Sequence, residues 1–253
     1  MPAPASEPGG TPSGGDSYDY DAYWREGVSG WDVVADLSPH LAALLVDVVS
    51  ARDVLDFGGG DGQRYGGLIR EHARSVTVAD ASPMILARRA ALGDATLDVS
   101  RLDDDPETFD VLVALEVLEH LVDPLGALRS VVAKLRPGGR AVISVPNAFS
   151  LVNRLRMLTG RLPSSGVGTS LRGQTYVAPH IRFFDLASLV ALAEAAGLSV
   201  ERVMAHDLDL WKVSGLVRRT GFRPLRQRGR SPLLAGTFVL VARLADPSGA
   251  PRA

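Results

Sequence analysis

Apolar residues fall in short runs separated by turn signals, and the spacing of apolar positions alternates between strand-like and helix-like along the chain. Asp53 to Phe57, Ser75 to Asp80, Ala95 to Asp98, Asp110 to Leu115 and Arg140 to Val145 are compact runs rich in Val, Leu and Ala. Asp110 to Leu115 has almost no polar interruption, which marks a strand buried on both faces. Between these runs the spacing is helical. Leu41, Leu44, Leu45 and Val48 share one helical face behind Ser38-Pro39, where serine caps and proline occupies the first turn. Further helices are predicted from the end of Gly58–Gly62 to about His72, from Ser82-Pro83 to about Leu92, from Asp123-Pro124 to near Leu135, over Asn147 to Leu158, and from Asp185 to Ala196 before Gly197. Pro137-Gly138-Gly139 reads as a turn. Leu198 to Met204 and Gly236 to Leu244 read as two closing strands. Alternation of this kind predicts an α/β domain, a parallel sheet with helices on both faces. Such sheets bind ligands beyond the C-terminal ends of their strands.

Composition narrows the picture. The chain has 253 residues, 46% of them hydrophobic, enough for one domain with a substantial core. Residues 1–17 and 246–253 are rich in Pro, Ala, Gly and Ser and are expected to be disordered tails around a domain at 18–245. Within it, 148–180 is expected to form a substrate lid, with Ser164 to Gly173 as a mobile loop. A formal charge of −2 argues against a general nucleic-acid or membrane binder. The absence of cysteine excludes disulfides, thiolate metal sites and a cysteine nucleophile. No apolar run reaches membrane-spanning length, Leu41 to Val49 being interrupted by Asp47, and the first residues lack the pattern of a secretory signal, so a cytoplasmic setting is expected.

Asp56-Phe57-Gly58-Gly59-Gly60-Asp61-Gly62 lies between a predicted strand and a predicted helix. Glycine there permits tight turning and lets a ligand touch the backbone. A dinucleotide fingerprint would need a further glycine where Gln63 stands. It would also bring a pyrophosphate to the helix start, which Asp56 and Asp61 would repel. These acids suit a nucleoside carrying an ammonium and a sulfonium but no phosphate. Asp80, ending the second strand, can accept hydrogen bonds from ribose hydroxyls, a device shared with nicotinamide sites. Asp98, ending the third, is either an adenine contact or a solvated loop acid.

The run Val54 to Gly62 resembles the first motif of class I S-adenosylmethionine-dependent methyltransferases. Val76 to Met84 looks like their second motif, Phe109 to His120 like their fourth strand and its exit, and Leu135 to Asn147 like their fifth strand. The resemblance covers about Asp53 to Met204 and is nearest to the ubiquinone-biosynthesis-type O-methyltransferases and their small-molecule relatives. It implies a doubly wound, Rossmann-like, seven-stranded, mostly parallel sheet with an antiparallel last strand. It implies S-adenosyl-L-methionine as cofactor, held by Asp56, Phe57, Gly58, Gly59, Gly60, Gly62, Asp80, Ala81, Asp98, Val99, Leu115 and Glu116. Family members often carry Cys or Ser at the position of Gly59, and Ala148 to Pro179 matches nothing assignable, which leaves the acceptor open.

Methyl transfer from an activated donor needs alignment and, for a hydroxyl acceptor, a base or a metal. Glu116-Val-Leu-Glu119-His120, with the distant His180, resembles the metal site of small-RNA 2′-O-methyltransferases. Glu116, Glu119, His120 and His180 are therefore candidate ligands for Mg²⁺ or another divalent metal. His120, His180 and Glu119 are equally candidates for metal-free catalysis, or for packing. Tyr23, Trp24, Asn147 and Tyr176 are candidates for the acceptor pocket, with aromatic packing as the alternative for Tyr23 and Trp24. Arg218, Arg219, Arg223, Arg226, Arg228 and Arg230 form a basic cluster that either meets an acidic substrate or is simply solvated. The expected partner is a small-molecule substrate. An RNA 2′-O-methyltransferase, a non-catalytic donor-binding partner protein and a nicotinamide enzyme are the competing readings.

Overall fold

The computed structural model describes residues 39–161, 180–208, 233 and 235–246. In chain order these form α1 (Pro39–Val49), β1 (Asp53–Phe57), α2 (Gly66–His72), β2 (Ser75–Asp80), α3 (Pro83–Ala91), β3 (Ala95–Asp98), β4 (Phe109–Leu115), α4 (Pro124–Val132), β5 (Leu135–Pro146), α5 (Leu151–Leu158), α6 (Leu186–Ala195), β6 (Leu198–Leu208) and β7 (Ala235–Leu244). Single 3₁₀ turns follow β3 and β4, at Val99–Arg101 and Leu118–His120.

The strands make one sheet in the order β3-β2-β1-β4-β5-β7-β6. β1 to β5 run parallel, and β7 is antiparallel to both β5 and β6. The chain moves outward from β1 to β3 and then returns to β4 on the other side of β1, so the crevice where ligands bind in such sheets lies between β1 and β4.

Strand periodicity explains why both faces are covered. Val54, Val111, Val113, Val142 and Val239 pack with α1 and α2, while their neighbours Leu55, Leu112, Ala114, Ile143 and Leu240 pack with α4 and α6. At the N-terminal strand ends Arg74 and Arg136 each bridge Asp53 and Asp110, tying β1 to β4 opposite the crevice.

Three predicted boundaries move. Pro137-Gly138-Gly139 is not a separating turn but an irregularity inside β5: Leu135 pairs with Phe109, and the register then shifts so that Arg140 pairs with Val111. α2 begins only at Gly66, because Asp61 Oδ1 accepts the Gln63 N–H and turns the chain first. α5 begins at Leu151, since Asn147 still bridges to Phe184 in line with β5. No helix among the described residues is long and apolar enough to cross a membrane. The predicted tails at 1–17 and 247–253, the loop Ser164 to Gly173, Tyr23, Trp24, Tyr176 and the arginines from Arg218 to Arg230 lie outside the described residues.

Candidate functional site

The glycine loop starts where the Gly58 N–H donates to the Ala79 carbonyl at the end of β2 (2.8 Å). Phe57 points into the core and offers the loop only its backbone. At Gly58 φ is +64°, and a Cβ would stand 2.8 Å from a Val117 methyl. At Gly59 a Cβ would stand 2.1 Å from Asp56 Oδ2. The loop is therefore wrapped tightly over the Asp56 carboxylate.

Beneath it lies Arg89 of α3, wholly buried. Its Nη2 donates to Asp56 Oδ2 (3.0 Å), its Nη1 to the carbonyls of Gly59 (3.0 Å) and Gly60 (3.3 Å), and its Nε to Asp94 Oδ2 (2.6 Å). Arg70 of α2 grips the same Asp94 through two bonds of 2.8 Å. Burial pushes the Asp56 carboxyl up, and Arg89 opposes that shift. Asp56, which the sequence sets before the glycine loop, is thus paired with Arg89 beneath it. Arg89 is the residue that sequence reasoning missed. The signal was its position four residues after buried Ile85, on the inward face of α3, with Asp94 close behind; a buried guanidinium needs such partners.

Asp80 and Asp98 are register partners at the C-terminal ends of β2 and β3. The Asp80 carboxylate is buried, and its Oδ1 accepts the Ser82 N–H (2.9 Å). Burial, reinforced by the charge of Asp56, nevertheless pushes it up to about 6. Ala81 beside it is exposed. Asp98 caps the following 3₁₀ turn through Ser100, which holds its carboxyl below the usual range, and Val99 is half-buried next to it.

At the end of β4, Leu115 pairs with Ser144 of β5, and Glu116 turns the chain with a φ of +56°. A bulky residue held there stores backbone strain. Ser144 Oγ donates to Glu116 Oε1 (2.8 Å), and both residues line a small cleft with Leu41, Arg64, Tyr65 and Thr237. The next turn buries Glu119, 1% exposed, with neither carboxylate oxygen hydrogen-bonded. His120 Nε2 lies 3.8 Å and His180 Nε2 4.0 Å from the same Glu119 Oε1, and the two rings meet edge-on at 4.7 Å. The 180–182 segment is pinned here because the N–H groups of Ile181 and Arg182 donate to the Glu119 carbonyl, and the Arg182 side chain donates to the Leu121 and Val122 carbonyls. Burial and the nearby Glu116 charge push the Glu119 carboxyl well above the ordinary range.

The predicted quartet is thus a trio. Glu119, His120 and His180 bring ligand atoms within 4.8 Å of one another, whereas Glu116 does not join them, its positive φ having turned it toward Ser144. Asn147, expected at the acceptor pocket, is 2% exposed: its Nδ2 donates to the Ala235 carbonyl and its Oδ1 accepts the Phe149 N–H, so it fastens the end of β5 to β7.

Comparison with known families and proteins adds to this geometry. The family described as "Methyltransferase domain" matches residues 32–203. The mitochondrial ubiquinone biosynthesis O-methyltransferase of Schizosaccharomyces pombe is 37% identical over 121 residues, covering 44% of this chain and 43% of that protein. The chain thus spans under half the length of this curated relative. The ubiquinone biosynthesis O-methyltransferase of Xanthomonas campestris is 28% identical over 222 residues, covering 79% of this chain and 82% of that protein. Among solved structures, a Burkholderia thailandensis 1,6-didemethyltoxoflavin-N1-methyltransferase with bound 1,6-didemethyltoxoflavin and S-adenosylhomocysteine superposes with a TM-score of 0.57, at 22% identity, over 90% of this chain and 86% of that one. At that identity the likeness speaks for the fold alone.

Proposed function

The chain belongs to the methyltransferase-domain family, and from that premise we propose that it moves the methyl group of S-adenosylmethionine to a hydroxyl of a small-molecule acceptor. The observation that carries the reading is the grouping of three features at the C-terminal ends of adjacent strands: the glycine loop after β1, Asp80 closing β2, and the Glu119, His120 and His180 cluster beyond β4. In this reading the loop backbone receives the amino-acid part of the donor, and Asp80 accepts both ribose hydroxyls. Asp98 and Val99 border the adenine, and Leu115 and Glu116 flank the reactive end. The names of the curated relatives support oxygen as the acceptor atom.

The trio beyond β4 fits a divalent metal. A buried carboxylate with two unbonded oxygens, facing two imidazole nitrogens, is costly without a cation. Two nitrogens and a carboxylate suit an ion such as Zn²⁺ better than Mg²⁺, which prefers oxygen. A metal there would supply Lewis acidity that makes an acceptor hydroxyl easier to deprotonate. The chain's own part is to hold His120 and His180 around Glu119 and to seat the acceptor against the donor's methyl group. An RNA acceptor is less favoured, because Glu116 stands outside the trio on which that resemblance rested.

Calorimetry with S-adenosylhomocysteine and with NAD tests the donor: binding of the first and not the second is expected, and the reverse would sink the reading. Zn²⁺ should raise the melting temperature of the wild type and not of His180→Ala, since a ligand stabilises only the fold that binds it. Equal shifts in both would remove the metal.

A further inference from the structure

The turn that leaves β4 is fixed on two sides. Glu116, held at a φ of +56°, donates its N–H to both oxygens of Ser144, the carbonyl (3.0 Å) and Oγ (3.1 Å). Ser144 Oγ donates back to Glu116 Oε1 (2.8 Å). A single hydroxyl, on a residue 1% exposed, thus grips the backbone and the side chain of the same glutamate. On the other side Val117 packs against the glycine loop, its methyl groups leaving no room for a Cβ at Gly58. The Glu116 carboxylate is thereby set beside that loop, in the cleft it shares with Ser144, Arg64 and Tyr65. Arg64 crosses the Tyr65 ring 5.4 Å from its centre.

Neither residue of the pair is what packing alone would select. The neighbours of Ser144 on β5, Val142, Ile143 and Val145, are buried and apolar, and a hydroxyl among them costs free energy unless it is hydrogen-bonded. Glycine would hold the turn at position 116 without strain. The two satisfy each other, and together they hold a carboxylate at the cleft. With Arg64 the cleft offers both signs of charge, matching an ammonium and a carboxylate on one ligand. The donor's amino-acid end carries that pair. Its ammonium is joined to the sulfur by a short carbon chain, within reach of a carboxylate beside the reactive end.

Resting on the donor reading above, we infer that Ser144 is a positioning residue for the donor: it acts through Glu116, whose carboxylate it holds to receive the ammonium of the donor's amino-acid end. Methyl transfer removes the charge on sulfur and leaves the ammonium, so donor and product share this contact.

The test compares two probes. S-adenosylhomocysteine carries the ammonium, whereas 5′-methylthioadenosine has the same nucleoside and thioether without the amino-acid end. Their dissociation constants are measured for the wild type, Ser144→Ala, Ser144→Thr, Glu116→Gln and the double variant Ser144→Ala with Glu116→Gln. Glu116→Gln should raise the Kd of S-adenosylhomocysteine about tenfold, the scale of a hydrogen bond to a charged group, and Ser144→Ala about threefold. Neither should change the Kd of 5′-methylthioadenosine. Ser144→Thr keeps the hydroxyl and should bind as the wild type does. In the double variant Ser144→Ala should add little to Glu116→Gln, because one acts through the other. A merely structural serine would weaken both probes alike or lower only the melting temperature, and either result overturns the inference. So does full multiplicativity in the double variant. Undiminished binding of S-adenosylhomocysteine by Glu116→Gln overturns it as well, since the carboxylate then meets no ammonium. Should Ser144→Ala fail to fold, Ser144→Cys, a weaker donor, takes its place with the same expectation. If the wild type itself binds no S-adenosylhomocysteine, the donor reading fails first.

Discussion

The elevated pKa of Asp80 makes donor binding depend on pH in a calculable way. In the free protein its carboxyl titrates at about 6, chiefly because it is buried and then because Asp56 lies near. If Asp80 accepts the ribose hydroxyls as proposed above, they donate to its ionised form, and protonation then competes with the donor. With a pKa of about 6 the ionised fraction is about 0.9 at pH 7 and about 0.1 at pH 5, and the apparent Kd should rise about tenfold between them. Above pH 7 the curve should be flat. The sign for folding is opposite: a carboxyl raised in the native state contributes stability below its unfolded pKa, and that contribution is lost as pH rises through about 6. The product S-adenosylhomocysteine has no group of its own titrating between these limits, and Asp98, whose carboxyl is lowered, stays ionised across them. Titration calorimetry with that product at pH 5, 6, 7 and 8, with circular dichroism confirming the fold at each, measures the curve. Asp80→Asn should bind weakly at every pH and lose the slope. A wild-type Kd that stays level from pH 8 to pH 5, or a slope that persists in Asp80→Asn, refutes the assignment of Asp80 as the ribose acceptor.

Two other outcomes can be checked by unfolding. Gly59→Ala places a Cβ 2.1 Å from Asp56 Oδ2, which cannot retreat because Arg89 holds it; a loss of about 1–3 kcal/mol in urea is expected for such overpacking, and an unchanged midpoint would mean the loop has slack. Glu119→Met removes a buried carboxyl group whose oxygens have no hydrogen-bond partner and puts an apolar chain of similar length in its place, so in the presence of a chelator the variant should be more stable by about 1–3 kcal/mol; a lower melting temperature under those conditions would contradict the geometry.

The sheet was legible because its strands are buried on both faces. Apolar runs such as Asp110 to Leu115 admit few other readings, and Ser75 to Asp80 and Ala95 to Asp98 have the predicted bounds. Boundaries failed where a tertiary contact overrode a local signal. Pro137-Gly138-Gly139 is a strong turn sequence, yet Leu135 still finds a partner in Phe109 across the irregularity. Positions were legible where the signal is local: Asp80 closes β2 where the sequence puts a strand end. They were not legible where a side chain answers to residues far along the chain. Nothing near Asn147 reveals that its amide will meet Ala235, 88 positions on. Glu116 and Glu119 look equivalent in sequence, and only a positive φ at the first separates them.

The rejection of a dinucleotide survives the structure, but on different ground. The sequence argument charged the loop with two carboxylates. One of them, Asp56, is neutralised by Arg89 and faces inward. What remains against a pyrophosphate is the start of α2. In a dinucleotide site the helix begins within the glycine loop and its first N–H groups meet the phosphates. Here α2 starts at Gly66, beyond Gly62 and the turn closed by Asp61, with no side-chain cap at Tyr65 and only seven residues to its axis. Such a short helix has little macrodipole to offer an anion. A loop followed by so short a helix, with no side-chain cap, offers no aligned row of N–H groups to a pyrophosphate.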